Sequence, residues 1–268
     1  MEPFQKKVPV LHNVNVAPGY FKMGVAFPEL GRIALPGQFV MVRVPDGRIP
    51  LLRRPFSILR QIVKGDEICG FELLYRVVGK GTGALSKLKG GDTLDVLGPL
   101  GNGFSCQDGI RSAFLVAGGI GITPLYYLAH FLCHQKKVRP SVFVGGKSAS
   151  DILCREELND ISAQIRITTE DGSLGEKGII TSLVKKTIHA DGKPDIIYAC
   201  GPTPMLCTIS KIAADHNIGC QVSLETVMAC GFGACLGCAV ENARSRGRYL
   251  HVCTDGPVFD SRAVIIRS

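Results

Sequence analysis

The chain has 268 residues, 46% hydrophobic and 20% charged, with 32 glycines and 15 prolines. That length suits about two domains, and the composition excludes a disordered, collagen-like or repeat protein. The formal net charge of +8 favours anionic ligands, but the basic residues are scattered without interleaved aromatics, so no nucleic-acid partner is expected.

The first residues lead into no apolar stretch, so no secretory leader is expected and the cytoplasm is the expected compartment. Residues 1–106 read as an antiparallel β-barrel. Short apolar runs at 8–16, 37–44, 55–63, 67–78 and 93–97 are separated by Gly, Pro and Asp turns. A short helix is expected over 83–88. Residues 107–224 alternate strand and helix. Strands are expected at 113–117, 141–144, 165–169, 195–200 and 221–224, with helices at 124–135, 151–158, 179–188 and 204–216. Such alternation predicts a five-stranded parallel, doubly wound α/β sheet. The stretch from Ser112 to Gln135 has no Asp, Glu, Lys or Arg and mimics a membrane span. Its glycines, Pro124 and two histidines instead favour a buried strand, a turn and a helix, and no span is expected. Residues 225–268 lose the alternation and are too few for a core of their own.

Eleven cysteines, an odd number without a leader, argue against a disulfide scaffold. Four of them, Cys230, Cys235, Cys238 and Cys253, follow C-x4-C-x2-C-x14-C. The plant-type [2Fe–2S] proteins use C-x4-C-x2-C…C, because a tight loop can present three of the four thiolates that two irons need. Gly231, Gly233 and Gly237 allow that loop to curl and aim N–H groups at sulfur. The alternatives are a structural zinc site and buried free cysteines. Zinc sites commonly use paired C-x2-4-C knuckles, and one C-x2-C is present here.

Three further motifs suit nucleotides. Arg54-Pro55-Phe56-Ser57 is followed by Leu74-Tyr75-Arg76 and by Gly79-Lys80-Gly81-Thr82. Two arginines and a glycine turn opening a short helix suit a pyrophosphate, Phe56 a flat ring and Ser57 a ring nitrogen. The bland reading is a barrel with ordinary turns. Gly118-Gly119-Ile120-Gly121-Ile122-Thr123-Pro124 links the first α/β strand to its helix, with Thr123 expected as N-cap. Cys200-Gly201-Pro202 ends a later strand at the same sheet edge. Each turn alone can be structural; together they favour a dinucleotide.

This order of motifs resembles the ferredoxin–NADP reductase superfamily. Over essentially the whole chain it is most similar to the electron-transfer subunits of the type B (NAD-dependent) dihydroorotate dehydrogenases. The resemblance implies FAD at Arg54, Pro55, Phe56, Ser57, Leu74, Tyr75, Arg76, Gly81 and Thr82. It implies NAD at Gly119, Gly121, Thr123, Cys200, Gly201 and Pro202, with Thr123 and Cys200 positioning the nicotinamide. It implies a [2Fe–2S] cluster on Cys230, Cys235, Cys238 and Cys253. No general acid or base is implied. The partner implied is an FMN-containing dihydroorotate dehydrogenase catalytic subunit, two of each chain forming a heterotetramer. Electrons from dihydroorotate would pass through the cluster and FAD to NAD+ in pyrimidine biosynthesis. Two other readings stay open: an NAD(P)H-linked reductase subunit serving a hydrogenase, a sulfur reductase or a ferredoxin, and a zinc-stabilised NAD-binding regulatory module. Phe56 departs from the superfamily, where tyrosine is common.

Overall fold

A computed structural model describes residues 3–44, 51–161 and 163–267. Six strands close the N-terminal barrel in the order β1-β2-β5-β4-β3-β6. They are β1 (Phe4–Ala17), β2 (Tyr20–Val25), β3 (Phe39–Arg43), β4 (Arg54–Lys64), β5 (Glu67–Arg76) and β6 (Thr93–Leu100), all paired antiparallel. The period of two is legible in β3. Val40 and Val42 join the barrel interior, while Phe39 and Met41 join a second core outside it.

Strand β2 and the short helix α1 (Pro28–Ile33) were not expected. Lys22 and Gly24 interrupt the apolar pattern of β2. Gly24 makes room for the His12 ring of the paired strand, which lies where a Cβ would stand. α1 is too short to show a period. Helix α2 (Lys80–Leu85) starts three residues before the expected turn.

The α/β domain contains all five expected strands: β7 (Ala113–Gly118), β8 (Ser141–Gly146), β9 (Gln164–Thr169), β11 (Ile196–Cys200) and β12 (Gly219–Ser223). The sheet is nevertheless seven strands wide, in the order β10-β9-β8-β7-β11-β12-β15. The short β10 (Glu176–Lys177) extends one edge in parallel. At the other edge β15 (Val258–Asp260), from the cysteine-rich segment, pairs antiparallel with β12. Two-residue and three-residue edge strands carry no periodic signal, so five was the legible number. Among the described residues no helix is long and apolar enough to cross a membrane.

The charge-free stretch becomes β7 and α3 (Ile122–Phe131), whose residues 122–129 are all buried. A helix apolar all round must be covered all round. Here the sheet covers one side, and barrel residues Leu59 and Leu74 share its core. On the opposite face of the sheet lie α5 (Ile180–Asp191) and α6 (Thr203–Asp215), while α4 (Arg155–Asp160) follows β8.

The cysteine-rich segment adds the hairpin β13 (Ala239–Glu241) and β14 (Tyr249–His251). It has no separate core. Cys238, Val252, Cys253 and Phe259 pack into one cluster with Phe39 and Met41 of the barrel and Val222 of the sheet. Asn102 clamps it from the barrel side, its side-chain amide donating to the carbonyls of Thr254 and Asp255, each at 3.0 Å.

Candidate functional site

The strand order reverses between β7 and β11, and ligands of open α/β sheets bind beyond the strand ends at such a point. A cavity of about 730 Å³ opens there. Gly119, Gly121, Gly201 and Pro202 line it, as the sequence reading expects of a dinucleotide site. The two glycine turns also touch each other: a Cβ on Gly121 would collide with the carbonyl of Cys200. Glycine is therefore required by the neighbouring turn before any ligand arrives.

Thr123 is not the N-cap. A 3-10 turn over Gly119–Gly121 winds straight into α3, leaving no extended residue to cap it. The Thr123 hydroxyl instead donates backwards to the carbonyl of Ile120 at 2.8 Å. Thr123 and Cys200 are each 2% exposed, and neither is among the residues lining the cavity. Burial pushes the Cys200 thiol well up, and the nearby Glu225 carboxylate adds to it, so it is a neutral group packed behind the lining.

The cavity is also lined by Glu170, one of two carboxylates that the sequence places in the turn after the third α/β strand, and by charged residues that no motif announced: Lys147, Asp151 and Glu225. Glu225 follows β12 and keeps accessible surface on the cavity side. Protein surrounds it closely enough for desolvation to raise its carboxyl. Its place just past the fifth strand is the one signal that could have found it. From the barrel, Tyr20 and Arg76 also reach the cavity.

The Arg54-to-Ser57 segment begins β4, paired with Val42, Met41, Val40 and Phe39 in turn. The Arg54 guanidinium donates to the carbonyls of Leu52 (2.8 Å) and Arg53 (3.2 Å). Arg53 and Arg43 are instead held by the buried Asp95 at 2.8 and 2.9 Å. Among the described residues Arg54 is bonded to these nearby carbonyls and not to a carboxylate, and such a guanidinium fits an incoming phosphate. Phe56 meets Tyr75 edge-on, with centroids 5.6 Å apart. Leu74 and Tyr75 have buried side chains, so only their backbone can face a ligand. Burial raises the Tyr75 phenol to about 12. The Thr82 hydroxyl accepts from the N–H groups of Val78 and Gly79 at 2.9 and 3.2 Å. It closes that turn itself, leaving the backbone of Gly81 and Thr82 as the candidate phosphate contacts.

The four clustered cysteines come together as two pairs. Cys235 N–H donates to Cys230 Sγ at 3.4 Å, and Cys238 Sγ lies 3.2 Å from Cys253 Sγ. Cys253 N–H also points at Cys238 Sγ at 3.5 Å. Burial raises the Cys230 thiol, but the backbone N–H groups of Cys235 and Phe232, the Cys235 side chain and the N–H of Ala234 outweigh it and bring it down to about 6. The thiolate is the metal ligand, so this donor set suits a metal. Two pairs match two ligands on each of two irons. Among the described residues no three or more His, Cys, Asp or Glu gather as around a single ion. The loop rests on the barrel: a Cβ on Gly231 would stand 2.5 Å from Met41 Cγ, and Met41 is the cross-strand neighbour of Pro55.

The barrel, the doubly wound sheet and the cysteine loop define an oxidoreductase of the ferredoxin–NADP reductase type with an added cysteine-rich domain. Residues 225–265 match the family "Iron-sulfur cluster binding domain of dihydroorotate dehydrogenase B", and residues 115–211 match "Oxidoreductase NAD-binding domain". The protein named dihydroorotate dehydrogenase B (NAD(+)), electron transfer subunit, from Caldanaerobacter subterraneus subsp. tengcongensis is 40% identical over 98% of this chain and 99% of its own. Its namesake from Desulforamulus reducens is 40% identical over 96% of each. The chain belongs to this family of electron transfer subunits. A solved structure of an NADH-dependent reduced ferredoxin-NADP oxidoreductase is 31% identical, with TM-score 0.84 over 97% of this chain and 90% of that one. The ferredoxin NADP+ reductase of Neisseria gonorrhoeae, at 16% identity and TM-score 0.64 over 79% of this chain and 91% of that one, shares the fold.

Proposed function

We propose that this chain carries electrons from a dihydroorotate-oxidising partner subunit to NAD+, as part of pyrimidine biosynthesis in the cytoplasm. One observation supports it above the others. The cysteine loop packs on Met41, Met41 sits beside Pro55 of the flavin-type strand, and the dinucleotide cavity opens between the barrel and the sheet. The three candidate sites are thus neighbours in the order that a relay needs. When bound, the cluster would supply one-electron chemistry and the flavin would join it to the hydride chemistry of the nicotinamide, since a reduced flavin can hold two electrons with the proton that completes a hydride.

The protein's own part is to bind and orient. Arg54 and the backbone of Gly81 and Thr82 would hold the FAD pyrophosphate, with Pro55, Phe56, Ser57, Leu74, Tyr75 and Arg76 completing that site. Gly119, Gly121, Gly201 and Pro202 would take NAD, with Thr123 and Cys200 as the packed wall behind the nicotinamide. Cys230 and Cys235 would hold one iron, and Cys238 and Cys253 the other. The working domain limits are 1–106, 107–224 and 225–268. The partner would be the FMN-containing catalytic subunit, two of each chain assembling together. Val227, Phe232 and Leu236 support docking at the cysteine loop, being 89%, 53% and 59% exposed there. Arg244 is taken up by Asp260 at 3.0 Å, which leaves Arg246 and Arg248 to steer an acidic surface.

A second reading draws on the 31% identical oxidoreductase: the same relay serving a different NAD(P)H-linked complex. The purified full chain is expected to show flavin and iron–sulfur absorption and to bleach with NADH. A colourless protein loaded with zinc would overturn both readings.

NAD is expected to be preferred over NADP. Glu170 lines the cavity, whereas Asp171 is bound to Ser173 (2.9 Å to N, 2.6 Å to Oγ) and holds its turn. Lys147 on the same wall offsets part of the repulsion of a 2′-phosphate. The expected preference in kcat/KM is at least about tenfold, from one like-charge contact. Glu170→Ala should narrow it; equal use of both cofactors by the unaltered chain would contradict it.

A further inference from the structure

Two barrel side chains reach the dinucleotide cavity, Tyr20 of β2 and Arg76 of β5, and they are cross-strand partners. The Tyr20 hydroxyl donates to Asp151 Oδ1 at 2.8 Å, and Arg76 Cζ lies 5.3 Å over the Tyr20 ring. Asp151 belongs to the α/β domain. Its other oxygen, Oδ2, accepts from the N–H groups of Lys147 (3.1 Å) and Ser148 (3.3 Å). One carboxylate therefore closes the loop after β8 and ties it to the barrel. Gly146 and Lys147 of that loop line the cavity. Burial, and then the bond to Asp151, raise the Tyr20 phenol, so it stays a donor.

We infer that Tyr20 is a positioning residue for the dinucleotide. Through Asp151 it fixes loop 146–151 against the barrel, and through its ring it keeps Arg76 at the cavity wall. The inference rests on the reading of this cavity as the NAD site. The physical gain is preorganisation. A nicotinamide must meet a flavin held by the barrel while its other end is held by the sheet, so the two walls must stand in register before binding. A loop already tethered loses less freedom when the ligand arrives. The Tyr20 ring likewise confines Arg76, an arginine of the flavin site, where that site meets the cavity.

The test is Tyr20→Phe in the full chain with its cofactors. The ring and its contact with Arg76 remain, and the bond to Asp151 is lost. The KM for NADH in dye reduction and the Kd for NAD+ by calorimetry are expected to rise about three- to tenfold, the range of one ordinary hydrogen bond, since the tether orders the wall without touching the ligand. The kcat, flavin per chain and Tm should stay as they were. Asp151→Ala should cost at least as much, and the double variant no more than Asp151→Ala alone. Unchanged KM and Kd, additive losses, or a parallel fall in flavin content or Tm would overturn the inference. An unaltered chain that neither binds NAD+ nor oxidises NADH would instead defeat the reading of the cavity, before any substitution is made.

Discussion

Cys235→Ser is expected to strip the protein of its iron, from about two atoms per chain to near none, while Cys133→Ser keeps both. Cys235 is exposed at the tip of the cysteine loop, and its own N–H bonds Cys230 Sγ at 3.4 Å. The loop has no core of its own to hold it once a ligand is gone, and a serine hydroxyl is a poor match for iron. Cys133 lies half-buried in the turn that ends α3, remote from the loop in the fold, and burial raises its thiol. It behaves as a small apolar group. Iron analysis and the visible spectrum of both variants check the contrast, and equal iron in the two would contradict it.

The second large effect is all-or-none. The chain alone should reduce artificial dyes with NADH yet leave dihydroorotate untouched, and adding the FMN subunit should start NAD+-linked dihydroorotate oxidation. The barrel interior is filled by Val10, Met23, Phe71, Leu73 and their neighbours, so it has no room for a second flavin. The cavity of about 730 Å³ at the sheet edge is lined by the glycine turns already assigned to a dinucleotide. Oxidation of dihydroorotate is therefore expected on another chain, with the exposed Val227, Phe232 and Leu236 as the proposed contact. The measurement is NADH formation from dihydroorotate, with and without the second subunit. Turnover by the single chain would refute the relay. No gain with the subunit would move the assignment to the complex resembled at 31% identity.

Much of this was written in local patterns. The spacing of Cys230, Cys235, Cys238 and Cys253 and the glycine turns at Gly119 to Gly121 and at Gly201 each lie within one short segment, and the alternation of strand and helix after residue 107 is a series of such segments. Period and spacing along a chain are set by local backbone geometry, so a sequence displays them directly. Five of the six barrel strands and all five long parallel strands were legible for that reason. The exceptions have local causes too: Gly24 hides β2, and β10 and β15 are too short for a period.

Contacts between distant segments had no such signal, because what brings them together is the packing of whole elements. Nothing in the sequence joins Tyr20 to Asp151, 131 positions apart, or seats Gly231 on Met41. Nothing shows that Asp95 holds Arg43 and Arg53, leaving Arg54 to backbone carbonyls. The Thr123 cap failed for the same reason: the sequence contains a threonine before a proline, but the tertiary turn decides where its hydroxyl points. By itself the sequence determined the chemistry this protein can carry, through its cysteines, glycine turns and arginines. The tertiary structure alone decided which of these groups face a common space, because burial and close approach belong to the packed chain rather than to any stretch of it.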